Sequence, residues 1–267
     1  MCKSLAELKS KKQNWFKAVQ EDRSFVETIK SLLIDIYSDS AHFILELLQN
    51  AEDMEATNVR FHLTSDQIYF EHNGTKRDFN LADIEAITSL GSNFQKRSDS
   101  TSIGKFGVGF KSVFSYTDTP IIHSGKYHFM IKDYFVPETD GVQPISTIDD
   151  QGVSWTKFIF PFNKQSKPSK TAYEECLNGL FNLDTLSILF LRHIHRIEYQ
   201  YSGSDVCYIA RIDNDDCSVS VKHKSAHSKE ESISDWFRFQ ADCRITDDKG
   251  ITKQLPIAIA FASAKNA

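Results

Sequence analysis

The chain has 267 residues, enough for one large domain or for one domain with part of a second. Its 40% hydrophobic and 25% charged content is that of an ordinary globular protein, and a net charge of −5 speaks against a non-specific nucleic-acid binder. Five scattered cysteines with no Cys-x-x-Cys pair argue against a disulfide framework or a zinc site. MCKSLAELKSKK is no secretory signal, and no window approaches the roughly 18 apolar residues of a membrane helix. The expectation is an intracellular, cytoplasmic protein with no membrane span, a nuclear location remaining open.

Residues 1–36 read as an N-terminal helical extension, with Leu5, Leu8, Trp15, Phe16, Val19, Ile29, Leu32 and Leu33 at buried spacing. Lys9, Lys11 and Lys12 read as a solvated helix face. A second helix is predicted from about residues 38–40, where Ser and Asp can cap it, to Met54. NVRFHL and QIYFEH alternate as a β-hairpin around a turn at 64–66, and 81–90 reads as a short helix. The polar stretch GSNFQKRSDSTS reads as a mobile loop and is followed by the glycine-rich, then helical, GKFGVGFKSVFSY. Strand patterns follow at PIIHS, KYHFMIK and WTKFIFPF. A polar, Pro-containing stretch at 163–169 marks a boundary, giving a domain at 37–163 and a second, truncated α/β region at 164–267. That region reads as two helices, at 173–181 and 185–191, and then the strands IEYQY, VCYIARI, VSVKH and WFRFQ. The closing LPIAIAFASAKNA is an apolar strand without a capping element, so further domains beyond Ala267 are expected.

Two motifs can carry chemistry. In HFILELLQNAED, Ile44, Leu47, Leu48 and Ala51 form a buried stripe, while Glu46, Gln49, Asn50 and Asp53 converge on another face. A carboxylate and an amide one turn apart can position a water and hold a magnesium ion, which prefers oxygen ligands. Alone, the helix reads rather as an amphipathic helix with a solvated polar face. In Gly104-Lys105-Phe106-Gly107-Val108-Gly109-Phe110-Lys111, three glycines let backbone approach an anion, and a helix starting there aims free N–H groups at phosphate oxygens. Alone, this reads equally as a loop that merely needs flexibility; no βαβ unit precedes it, which excludes the dinucleotide-binding reading.

In this order, the two motifs resemble the ATP-binding domain shared by heat-shock chaperones, gyrase, mismatch-repair ATPases and histidine kinases. IYSDSAHFILELLQNAED and FEHNG are similar in particular to sacsin-like proteins. The resemblance covers about residues 37–162. It implies a two-layer α/β sandwich of helices on a mixed, mostly antiparallel sheet (the Bergerat-type, GHKL fold), with ATP and Mg2+ as cofactors. By the resemblance Glu46 is the general base and Asn50 the magnesium ligand. Gly104, Gly107 and Gly109 line the triphosphate, with Lys105 and Lys111 supplying charge, Phe106, Val108 and Phe110 in the same loop, and Asp53 on the helix face. The superfamily's Asp-x-Gly-x-Gly box, whose Asp contacts the adenine amino group, corresponds to Glu71-His72-Asn73-Gly74-Thr75-Lys76. His72 then stands in for Asp and Lys76 for the last Gly, which leaves base selectivity open; without a ligand, His72 is a plain hairpin residue. Thr156 matches a late strand Thr that helps to hold adenine, with Trp155 where Gly is usual. The stretch 91–102 lies where the family has its ATP lid.

The implied function is a magnesium-dependent ATPase driving conformational change in a larger protein, with ATP-dependent dimerisation among its expected behaviours. The alternatives are a nucleotide-gated switch with little hydrolysis and a degenerate scaffold. A kinase is excluded: there is no phospho-acceptor His helix and no kinase-type catalytic loop. Nothing after Asn163 reads as the Lys or Arg that a second domain would bring to the γ-phosphate.

Overall fold

The computed structural model describes residues 3–20, 42–74, 76–89, 109–225, 230–246 and 252–263. The lid stretch, Gly104, Lys105, Phe106, Gly107 and Val108, as well as Ile29, Leu32 and Leu33, lie outside the described residues. Among the described residues no helix is long and apolar enough to cross a membrane.

Helix α1 (Leu5–Gln20) buries Leu8 and sets Trp15 edge-on to Phe135, ring centroids 5.4 Å apart. Its lysines form a solvated face only in part: Lys11 is exposed, whereas Lys9 and Lys12 are partly buried. Lys9 pairs with Glu138, Lys11 with Glu85 at 3.0 Å, and Lys12 donates to the Thr88 carbonyl at 2.7 Å. The charges fix the helix to the body because their partners, invisible to helical spacing, lie on distant segments.

Helix α2 (His42–Asp53) buries the expected stripe of Ile44, Leu47, Leu48 and Ala51. Strands β1 (Asn58–Leu63) and β2 (Gln67–His72) form the expected antiparallel hairpin. Alternation puts Val59, Phe61 and Leu63 in the core and leaves Arg60 and His62 on the open face, as a period of two requires. Helix α3 (Leu81–Ile87) is capped by Asn80 and Asp83 in a reciprocal capping box. A 3-10 helix spans Gly109–Ser115. Then come β3 (Ile121–Ser124), β4 (Tyr127–Lys132), the short β5 (Val136–Glu138) and β6 (Thr156–Pro161).

After α4 (Ser169–Phe181) and α5 (Thr185–Leu189) come β7 (Arg196–Tyr201), β8 (Cys207–Asp213), β9 (Ser218–Lys224), β10 (Ser232–Thr246) and β11 (Thr252–Ala262). Among the described residues the strands form one sheet in the order β11-β10-β9-β8-β7-β1-β2-β6-β3-β4-β5. Every pairing is antiparallel except β1 with β7. Helices on this mixed, mostly antiparallel sheet give the expected α/β fold class.

The expected boundary at 163/164 is not a break in this sheet. β7 satisfies the backbone groups that β1 would otherwise leave unpaired, and Ala172, Cys176 and Leu180 of α4 enter the same core as α2. The closing strand β11 is paired along its length to β10, and Phe237 and Phe239 stand beside Phe261 and Ile259 on the ribbon's open face.

Candidate functional site

The polar side of α2 meets the end of the glycine-rich loop. A Cβ on Gly109 would lie 1.8 Å from Glu46 Oε2 and 2.7 Å from its Cδ, so only glycine permits this approach. Such an overlap is far inside van der Waals contact and could be relieved only by moving the carboxylate. His42, one turn earlier, places Nδ1 3.5 Å from Glu46 Oε1.

Asn50, a turn further on, lines a cavity walled by Leu47, Phe70, His72, Phe110 and Phe158. Its volume is about 10 Å³, room for one water at most. Aromatic packing fills the rest: the Phe110 and Phe158 rings lie 6.0 Å apart, as do those of His72 and Phe158.

His72 is buried at the end of β2, and the Gly74 N–H donates to its Nδ1 at 3.1 Å. Burial pushes its pKa down to about 4, so the imidazole is neutral near pH 7. With Nδ1 accepting, the ring proton resides on Nε2. Gly74 is cramped, since a Cβ there would lie 3.0 Å from Met54 Cβ and 3.1 Å from His72 Cε1. Thr156 is the cross-strand partner of His72. Its Oγ1 lies 2.7 Å from Ser124 Oγ, which accepts the Phe79 N–H at 3.0 Å. The sequence offered Ser124 only as the last residue of the PIIHS strand pattern, because its role depends on β3 lying beside β6.

Two expected ligands are turned elsewhere. Lys111 is buried; its Nζ donates to the Ile87 carbonyl at 2.8 Å and to that of Tyr134, and lies 4.9 Å from the Phe135 ring centre. Burial drives its pKa well below the usual lysine value, with Lys12 adding repulsion. Expected to neutralise phosphate charge, Lys111 here has its Nζ hydrogen-bonded at the end of α3. Asn73 is likewise committed to the backbone. Its Oδ1 accepts from the Thr57 and Asn58 N–H groups at 3.0 and 2.8 Å, and its Nδ2 donates to Thr57 Oγ1. It shapes the turn beside β1. The Asp53 carbonyl accepts from Lys76 Nζ at 2.7 Å.

Glu52 was missed altogether. Buried in α2, it accepts from three successive N–H groups: Arg192 at 2.6 Å, His193 at 3.0 and 3.2 Å, and Ile194 at 3.1 Å. This clamp ties the helix of Glu46 and Asn50 to the entrance of β7. In the sequence it is one more acid in ELLQNAED, with no signal of a buried partner. Among the described residues no group of three or more His, Cys, Asp or Glu could hold a metal. The oxygens of Glu46 and Asn50 still suit magnesium, which takes one or two protein ligands and keeps several waters.

A family model described as the Sacsin domain matches residues 73–149. Protein NO VEIN of Arabidopsis thaliana is 39% identical over 107 residues, covering 38% of this chain and 4% of that protein. Human sacsin is 34% identical over 119 residues, covering 38% of this chain and 3% of its own length. The chain therefore spans only a few per cent of these relatives. A solved structure, the topoisomerase IV ATP-binding domain of Francisella tularensis in complex with a small-molecule inhibitor, is 19% identical, covers 62% of this chain and 84% of that one, and has a TM-score of 0.37. Over residues 73–149 the chain is similar to the Sacsin domain, in keeping with the sacsin-like resemblance of its motifs.

Proposed function

We propose that this chain binds ATP with magnesium and hydrolyses it, as the module that drives conformational change in a larger protein. The observation that carries the reading is the Glu46 carboxylate held against the Gly109 backbone, where the glycine-rich loop ends. Water is a weak nucleophile at neutral pH, and a carboxylate within hydrogen-bond reach can orient it and take its proton. Asn50 offers an oxygen to the metal one helical turn away, and His72 and Thr156 meet the base. Magnesium, when bound, offsets charge on the phosphates. The cavity of about 10 Å³ requires the aromatic walls to part for a base, so binding and a change of shape are linked.

The test sets phosphate release beside nucleotide binding. Glu46→Ala should keep ATP affinity and lose turnover by about 10²–10⁴, whereas Asn50→Ala should lose the magnesium-dependent part of the affinity. Equal turnover with and without Glu46 would refute hydrolysis by this carboxylate. The second reading, a nucleotide-gated switch with little hydrolysis, is favoured by Lys111, whose commitment to two carbonyls withholds one cation from the phosphates. Tight binding with no phosphate release in the unmutated chain would select it.

A further inference from the structure

We propose that the base edge of this site is read by a hydrogen-bond donor, the Nε2–H of His72, so that the site prefers a 6-oxopurine nucleotide to an adenine nucleotide. This rests on the nucleotide reading of the site and adds to it the class of base.

The geometry begins at Gly74. Its backbone N–H donates to Nδ1 of His72, and the Cε1–Nδ1 edge of the ring is packed against this glycine. A neutral imidazole carries one proton, and a nitrogen that accepts a hydrogen bond cannot hold it. Nε2 is therefore the donor, and no hydrogen bond from it is seen among the described residues. The ring lines the cavity, whose other walls are mostly apolar, so a polar ligand atom reaching His72 meets N–H and no lone pair. An exocyclic amino group there would set donor against donor in a water-poor site. A carbonyl oxygen would complete the bond.

The neighbouring strand supplies the complementary acceptor. Thr156 stands opposite His72, on the same face of the sheet. Its Oγ1 shares one hydrogen bond with Ser124 Oγ. A hydroxyl has two lone pairs and one proton, so whichever of the two donates, Thr156 keeps at least one lone pair free. The pair thus presents a donor at His72 and a hydroxyl able to accept at Thr156, so that His72 sets the discrimination. A 6-oxopurine offers the matching acceptor and donor, at its position-6 oxygen and its ring N1–H. Adenine offers an amino donor and a ring acceptor, the reverse order. Register strengthens the assignment, because β2 and β6 are paired from Gln67–Pro161 to His72–Thr156 and cannot slip by one residue without turning Phe70 and Phe158 out of the core.

The experiment is calorimetric titration of the full chain with ATP and with ITP, each with magnesium. These nucleotides differ only at the 6–1 edge of the base. ITP is expected to bind about tenfold or more tightly than ATP, since leaving a buried polar group opposed by its own kind is penalised heavily. His72→Asp, which replaces the donor by an acceptor, should reverse the order. ATP binding as tightly as ITP, or more tightly, in the unmutated chain would overturn the proposal while leaving nucleotide binding intact. Binding of neither would instead remove the reading on which it rests. Should His72→Asp fail to fold, long-range 1H–15N NMR on the unmutated chain reads the tautomer directly. A proton on Nε2 supports the proposal, and one on Nδ1 overturns it.

Discussion

Glu52→Ala is expected to destabilise the fold by about 3–5 kcal/mol, the range found when one partner of a buried charged interaction is removed. The carboxylate is 6% exposed and accepts from the N–H groups of Arg192, His193 and Ile194. Hydrogen bonds to a charged group contribute about 1.5–3 kcal/mol each, and a buried donor left without a partner costs about 1–3 kcal/mol. Summing three such bonds overshoots, for two reasons. Arg192 is exposed, so water can take over its N–H, and burying the carboxylate has its own desolvation cost. Ile194 is fully buried and has no such recourse. Glu52→Gln keeps one acceptor oxygen but turns an NH₂ towards the same donors, so about 1–3 kcal/mol is expected. The assay is urea denaturation of the chain and both variants, with the slope m unchanged and the midpoint lowered. Glu55→Ala is the control: its carboxylate lies 3.3 Å from Lys76 Nζ with both side chains well exposed, and such pairs contribute at most about 1 kcal/mol. If Glu52→Ala lost less than about 1 kcal/mol, the N–H groups of 192–194 would have other partners and the clamp would be refuted.

Gly109→Ala should leave the fold intact and lower phosphate release about tenfold or more, because the new Cβ pushes the Glu46 carboxylate aside; turnover equal to that of the unmutated chain would make the contact incidental. Stability should fall as pH drops from 6.5 towards 4, by at most about 1.4 kcal/mol per pH unit from His72. The sign follows from its folded pKa of about 4: in that window the unfolded chain binds a proton there and the folded chain does not, so the contribution is whole above 6.5 and lost on acidification. His123, lowered to about 4 by burial and then by His128 and Lys157, acts in the same direction. Denaturation across this window should show a shallower slope for His72→Gln, and an unchanged slope would mean that His72 is open to solvent. Cys176 is buried and its thiol pKa is raised by desolvation, so iodoacetamide should label the half-exposed Cys217 and Cys243 before Cys176, which reacts only after unfolding. Mass spectrometry of the labelled peptides decides, and early labelling of Cys176 would show that α4 opens in the folded state.

Local periodicity was enough to read α2, the β1–β2 hairpin and, apart from the short β5, the strands that follow. A helix repeats every 3.6 residues and a strand every two, so Ile44, Leu47, Leu48 and Ala51, or Val59, Phe61 and Leu63, reveal their buried faces without knowledge of what covers them. The same local chemistry, together with the resemblance, marked Glu46, Asn50, His72, Gly109 and Thr156 as candidates. Only tertiary structure decided what these residues meet. The parallel pairing of β1 with β7 joined two regions that composition had divided, and the pairing of β2 with β6 set His72 opposite Thr156. The destinations of charged side chains were the least legible. Lys111 reads as a cation beside a phosphate loop yet is buried on two carbonyls, and Glu52, which no motif singled out, holds three backbone N–H groups. An apolar side chain is directed by the mean polarity of a helix or strand face, which sequence periodicity encodes. A charged or hydrogen-bonding one is directed by individual partners at 2.6–3.2 Å, and those come from distant segments whose approach only the folded chain determines.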